Sequence, residues 1–242
     1  MGRRKEEIPK TITIDNPRSP ISEAFRTLRT NISFAGVDKP VKKILITGAN
    51  PSCGKTTIVA NLGVTLAQTG SSVLLVDADL RKPTLNRFFN LSNGMGLTSL
   101  IIKRSEGEQK AIQQTKIENL FVLPSGPVPP YPAELLSSQK MKNLINKFSE
   151  HFEYLVIDSP PVIAVTDAAI LSRMVDGTLL VLDHGRVTRD EATMAVEQLK
   201  KVNARVIGTV FNKVPFKQGY YDYYRLYYRT DPEDRKKGKR NR

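Results

Sequence analysis

Tryptophan is absent from this sequence of 242 residues, and cysteine occurs once, as Cys53. A single thiol excludes an intramolecular disulfide and any cysteine-built metal cluster, and it suits a reducing cytoplasm. Histidine is almost as scarce: His151 and His184 are the two examples, and both fit loop or helix-end roles better than catalytic ones. No apolar run approaches the ~20 residues that carry a helix across a bilayer. The opening Met1-Gly2-Arg3-Arg4-Lys5-Glu6 has no apolar stretch, so it is not expected to act as a secretory signal; Glu6 stands where a myristoylation motif needs Ser or Thr. Acidic residues are in short supply, 24 against 37 Lys and Arg, which leaves a net charge of +13. Much of the excess sits in Arg3, Arg4 and Lys5 and in the run at 235–242. Such runs read first as solvated tails. Attraction to anionic lipid, at about 1 kcal/mol per basic residue, and to polyanions are the other readings. The core shows no nucleic-acid recognition module, so nucleic acid is not an expected partner.

Against these absences stand a hydrophobic content of 40% and a length that fits one α/β domain of generous size. Residues 1–18 read as a polar, proline-punctuated extended arm, 19–216 as the folded domain, and 217–242 as a flexible tyrosine-rich and basic tail. Ser19-Pro20 has the form of an N-cap and first helical residue. Phe25, Leu28 and Ile32 then share one helical face, while Glu23, Arg26 and Arg29 line up along the opposite side. Short apolar strands are expected at 44–46, 73–76, 120–123, 154–157, 178–182 and 206–211. Their runs are continuous rather than alternating, as when both faces are buried. Helices are expected at 55–70, with Gly70 as a left-handed C-cap, and near 97–104, 133–150, 166–173 and 189–202. Strand and helix in alternation predict a mostly parallel sheet covered by helices on both faces.

The segment Gly48-Ala49-Asn50-Pro51-Ser52-Cys53-Gly54-Lys55-Thr56-Thr57 is an irregular phosphate-binding loop, since the regular spacing would put a glycine at Ala49. Its chemistry is intact. Backbone N–H groups of 52–57, following Pro51, face the phosphates at a helix start, Lys55 reaches the β/γ oxygens, and the Thr56 hydroxyl can hold Mg²⁺. This makes the predicted fold that of a P-loop NTPase, with ATP as the expected nucleotide. Two acidic strand ends complete the site. Asp77 and Asp79 occupy alternate positions after 74–76, and Asp158 follows 155–157. Carboxylates leaving the C-terminal ends of parallel strands sit where α/β folds bind ligands. As helix caps they would be ordinary; beside a phosphate loop they predict a Mg²⁺-nucleotide site. Asn212-Lys213, after the last strand, is an expected contact for the adenine edge.

The irregular loop, Asp77-x-Asp79-x-Arg81 and Asp158-Ser159-Pro160-Pro161 resemble the Walker A, A′ and B elements of the bacterial tyrosine kinases, in particular the soluble cytoplasmic kinases of capsular and exopolysaccharide synthesis. The resemblance covers nearly the whole chain. Glu23-x-x-Arg26-x-x-Arg29 is similar to that family's ring-assembly motif, and Pro132-Ala133-Glu134-Leu135-Leu136 to another shared segment. The cluster Tyr220, Tyr221, Tyr223, Tyr224, Tyr227 and Tyr228 is similar to its phosphoacceptor tail. Ser52 and Cys53 depart from the residues usual at their positions, Gly at the first and Glu or Ala at the second; both contribute mainly backbone, and the thiol reads as inert filler.

The resemblance implies a protein-tyrosine kinase that phosphorylates its own tail in trans. Lys55 and Mg²⁺ neutralise the transferring group, Thr56 and Asp158 lie on the metal side, and Asp77 accepts the tyrosine proton and also approaches the metal. Asp79 orients metal or water, and Arg81 supports the acidic pair. A homo-oligomeric ring, octameric by resemblance, follows from Glu23, Arg26 and Arg29. A transmembrane activator would recruit the cytoplasmic kinase to the inner face of the cell membrane, and tyrosine-containing proteins are its other implied substrates. Stacking of the tail on single-stranded nucleic acid and aromatic interface filler are the alternative readings of the tyrosines. The rival for the whole chain is an ATP-driven positioning ATPase of the partition or septum-site type. It is disfavoured because Asn50 stands in place of that group's signature lysine and because Arg81 is present.

Overall fold

A computed structural model describes residues 11–37, 39–102 and 107–215. The chain opens with α1 (Ile12–Asp15) and α2 (Pro20–Ala35), then forms β1 (Lys43–Gly48), α3 (Lys55–Ala67) and β2 (Val73–Asp77). Short helices α4 (Leu85–Phe88), α5 (Leu97–Ile102) and α6 (Glu108–Ala111) lead to β3 (Gln113–Gln114) and β4 (Leu120–Leu123). Next come α7 (Pro132–Ser137), α8 (Gln139–His151), β5 (Tyr154–Asp158), α9 (Asp167–Ser172), β6 (Gly177–Asp183), α10 (Arg189–Lys201) and β7 (Val206–Asn212). Among the described residues the strands make one seven-stranded sheet in the order β3-β4-β2-β5-β1-β6-β7. All neighbours are parallel except β3 with β4.

Burial explains the uninterrupted apolar strands. Side chains alternate across the sheet, so Ile44, Ile46, Val73, Leu75 and Val156 face α2 and α3. Leu45, Leu74, Val76, Leu155 and Ile157 face α5, α8 and α9. Leu180 and Leu182 pack with Ala195 and Leu199 of α10. Helix α3 is buried nearly all round because it lies between the sheet and α2, which removes any polar face. The C-terminal ends of β1, β2 and β5 consequently emerge together, two of them carrying aspartates.

Three local expectations need correction, and one strand was not expected. The arm is not extended throughout: residues 12–15 form a helical turn held by Thr13, whose N–H and hydroxyl both donate to Asn61 Oδ1 on α3 at 3.0 and 2.9 Å. The helix expected over 133–150 breaks at Ser138, which adopts ψ 150° and caps α8 by accepting from the Met141 N–H at 3.2 Å. Helix α3 ends at Ala67 rather than at Gly70, although Gly70 is left-handed as expected, with φ 89°. The antiparallel edge strand β3 has only two residues and no apolar signal. Conversely, Ser19 caps α2 and Pro20 begins it, in agreement with the sequence.

Candidate active site

The phosphate loop is shaped by two left-handed residues, Ser52 with φ 60° and Gly54 with φ 97°. Glycine is free to adopt this conformation, whereas serine does so at a conformational cost. Space also matters. A Cβ on Gly54 would collide with the Asn212 amide, and one on Gly48 would collide with Cys53 Sγ. Asn212 donates from Nδ2 to the Cys53 carbonyl at 2.8 Å, and Lys213 donates from Nζ to the Ser52 carbonyl at 2.5 Å. The end of β7 thus holds the loop by its carbonyls. Helical bonding in α3 starts with Ile58 N–H to the Gly54 carbonyl at 3.0 Å, which leaves first-turn amides as donors for an anion. Asn212, expected at the adenine edge, is therefore placed first as a brace on the loop.

Cys53 is fully buried beneath this turn, and burial pushes its thiol above the usual range despite the nearby Lys55 charge. A raised thiol is a poor nucleophile, which agrees with inert filler. Lys55, the first residue of α3, is buried as well. Glu191, which together with Thr188 forms the capping box of α10, has its carboxyl held below the usual range by the Thr188 N–H first and by the nearby Asn50 side chain second. The position that a second lysine would occupy thus lies near the start of α10.

Asp77 and Asp158 stand side by side in the β2–β5 register, at 0% and 1% exposure. Asp77 Oδ2 accepts from the N–H groups of Thr84 and Leu85 at 3.1 and 3.0 Å, and Oδ1 accepts from the Asp79 N–H at 3.3 Å. Asp158 Oδ2 accepts from the Thr56 hydroxyl at 2.5 Å, whereas its buried Oδ1 has no partner. The Thr84 hydroxyl donates to Thr56 Oγ1 at 3.3 Å and closes the group. Burial, reinforced by the Asp158 charge, holds the Asp77 carboxyl well above the ordinary carboxylate range, with the Leu85 amide opposing. Burial likewise pushes Asp158 up to about 7, against the Lys55 charge and the Thr56 hydroxyl. Two adjacent buried carboxyls that resist ionisation, one with an orphaned oxygen, fit a divalent cation as the missing counter-charge. Two carboxylates and a hydroxyl, completed by phosphate oxygens, are donors of the kind Mg²⁺ takes.

Asp79 is half-buried, and its Oδ1 accepts from the Lys82 N–H at 3.0 Å. Arg81, expected to support the acidic pair, acts on Asp79 electrostatically but is engaged first by Asp167. Its guanidinium forks onto Asp167, with Nε and Nη2 donating to the two carboxylate oxygens at 2.9 and 3.0 Å. Asp167 is fully buried at the first position of α9, so the planar fork answers a carboxylate that sequence reasoning missed. Thr84 and Lys213 were also missed. The only local signal was a helix start at 166–167; the pairings themselves are long-range.

Of the residues expected to assemble copies, Arg26 donates to Glu23 at 2.6 Å and to the Pro17 carbonyl at 2.6 Å. Arg29 instead reaches across to the Thr65 carbonyl of α3 at 2.7 Å. Arg29 also borders a cavity of 340 Å³ at the opposite end of the sheet, with Val41, Leu66 and Tyr154, far from the aspartates. The six expected phosphoacceptors, Tyr220 to Tyr228, lie outside the described residues.

Residues 41–210 match a family model described as an AAA domain. The chain is 45% identical over 214 residues to the tyrosine-protein kinase YwqD of Bacillus subtilis, covering 88% of this chain and 90% of that protein. Among solved structures it is similar to the chimerical protein CapA2B2, with TM-score 0.82 and 42% identity over 85% of this chain and 90% of the other. It is also similar to the kinase domain of the Escherichia coli tyrosine kinase ETK, with TM-score 0.80 and 33% identity over 89% and 86%. The septum site-determining protein MinD of Pyrococcus horikoshii is more distant, at TM-score 0.59 and 22% identity over 76% of each chain, which is a likeness of fold alone.

Proposed function

The chain belongs to the bacterial tyrosine-protein kinases, and on that premise we propose that its paired aspartates and phosphate loop transfer the γ-phosphoryl group of ATP to the tyrosine cluster of another copy. The observation that carries the site assignment is the buried Asp77–Asp158 pair beside Thr56, with Asp158 Oδ1 left without a partner. Thr56, Asp158 and Asp77 would hold Mg²⁺. When bound, the ion offsets the charge of the transferring phosphoryl group and of the carboxylates.

Phosphoryl transfer asks the protein mainly for positioning and charge neutralisation. The backbone of 51–57 cradles the phosphates, and Lys55 neutralises the group in transfer. Asp77 accepts the phenol proton as the tyrosine oxygen bonds to phosphorus and the bond to the β-phosphate oxygen breaks. With the cation offsetting the burial and the Asp158 charge that otherwise keep it protonated, Asp77 is ionised and able to accept the proton of a phenol of pKa near ~10. Asp79 orients metal or water. Arg81 braces the turn between β2 and α4 against α9. Asn212, already on the loop, is assigned the adenine edge.

Glu23, Arg26 and Arg29 are assigned to assembly of copies into a ring. Regulation of capsular or exopolysaccharide synthesis, with recruitment to the inner membrane face by a transmembrane activator, completes the reading. Phosphorylation adds about −1.5 to −2 charge per tyrosine and would pull the tail from a neighbour's site and loosen the ring. Incubation with Mg-ATP followed by mass spectrometry tests the activity. Phosphotyrosine is expected within 220–228 and is lost in Lys55→Met; ADP release with no phosphotyrosine would instead support the positioning ATPase.

A further inference from the structure

The loop between β4 and α7 carries two large apolar side chains that the fold leaves uncovered, Val128 at 61% exposure and Tyr131 at 67%. Its sequence is Pro127-Val128-Pro129-Pro130-Tyr131-Pro132. Proline fixes its own φ and restricts the residue before it, so Val128 and Tyr131, each followed by proline, are presented on a stiff backbone. The base of the loop is also fixed. Leu97 and Thr98 N–H groups donate to the Pro124 and Ser125 carbonyls, both at 2.8 Å, and Asn93 Oδ1 accepts from the Gly126 N–H at 2.9 Å. A Cβ on Gly96 would collide with the Pro124 carbonyl, so the two segments meet at backbone distance. The loop leaves β4 at the same end of the sheet as Asp77, because Leu123 is in register with Val76. Glu134, three residues past Tyr131, acts electrostatically on Arg81, two residues from Asp79. A rigid apolar ledge with an exposed carboxylate therefore flanks the acidic side of the site.

We propose that this ledge, with Val128 and Tyr131 as its contacts and Glu134 at its rim, docks the tyrosine-rich segment at 216–229 of a second copy and so determines acceptor specificity. The proposal deepens the kinase reading and rests on it for the identity of the occupant. The segment supplies the matching chemistry: six tyrosines for apolar contact, and Lys217, Arg225 and Arg229 against one carboxylate, Asp222. Aromatic rings on a preorganised proline surface bury area at little conformational cost. A chain's own tail departs from β7, five strand spacings or about 24 Å from β4.

The probe is a fluorescent peptide of residues 216–229, bound to the full chain and followed by anisotropy, with peptide phosphorylation measured in parallel. In Val128→Ser/Tyr131→Ser the dissociation constant for peptide is expected to rise at least about tenfold, while that for Mg-ADP stays within about twofold. Both side chains are exposed, so the substitutions leave the core intact. Tyr131→Phe retains binding, and Glu134→Gln flattens its salt dependence. Unchanged peptide affinity in the double variant, or no affinity in the unsubstituted chain, overturns the ledge. A peptide that binds through Val128 and Tyr131 but is never phosphorylated supports the ledge and instead overturns the kinase assignment of the tail.

Discussion

At the residue scale, chemistry concentrates in side chains kept under tension by burial. Asp158 binds its proton up to about pH 7 in the folded, metal-free protein, whereas an unfolded aspartate releases it near ~4. Between those values the folded state holds the extra proton. Stability contributed at this position therefore falls as pH rises from about 4 to about 7 and is level above. Thermal melts of the metal-free protein should show Asp158→Asn gaining on the unsubstituted chain across that window while losing kinase activity. A difference between the two that is flat with pH would remove burial of an unpaired carboxylate as the basis of the site. Individual residues differed in how far sequence exposed them. Lys55, Thr56 and the aspartates were legible because each sits in a local pattern of strand, turn and helix. The clamp of Arg81 on Asp167 was not, since its partners are 86 positions apart. Nor was the bracing of the loop by Asn212, across 159 positions.

At the scale of elements, both the sheet and its gaps have physical reasons. Among the described residues, parallel strands buried on both faces leave apolar runs, which is why β1, β2, β4, β5 and β6 stood out; β7 was legible from its apolar residues although none of them is fully buried, and β3 buries too little to leave a trace. The interruption between α7 and α8 left one local trace, a five-residue step from Leu136 to Met141 in an apolar spacing that is otherwise three or four residues through Leu144 and Phe148. Helix α1 forms because Asn61 lies opposite it, 48 residues away, and local composition carries no sign of that. Helix α2, which presents Glu23, Arg26 and Arg29, begins at a serine whose side chain accepts from the Ser22 N–H at 3.1 Å and lies 3.0 Å from the Ser22 hydroxyl. Replacing that cap by alanine typically costs about 1 kcal/mol. Ser19→Ala should lower unfolding free energy in denaturant by that order with kinase activity of the folded fraction retained. An unchanged midpoint would mean that packing, not the cap, fixes where α2 starts.

At the scale of the whole molecule, the site and its proposed acceptors occupy different parts of the chain. β2 brings Asp77 to the centre of the sheet, while the tail leaves from β7 at its edge. A ring of copies would set each tail beside a neighbour's loop, and the ledge at Val128 and Tyr131 would receive it. The likeness to tyrosine kinases fixes the family, and the buried aspartate pair supplies a reason for the chemistry. Transfer between copies is the claim on which the account turns. It is tested by mixing a Lys55→Met chain that keeps all six tyrosines with an active chain in which those tyrosines are phenylalanine. With Mg-ATP, phosphotyrosine should accumulate on the Lys55→Met tail at a rate that rises with the concentration of its partner. An unmodified tail in that mixture, while the unsubstituted chain phosphorylates itself at a rate independent of concentration, would contradict transfer between copies.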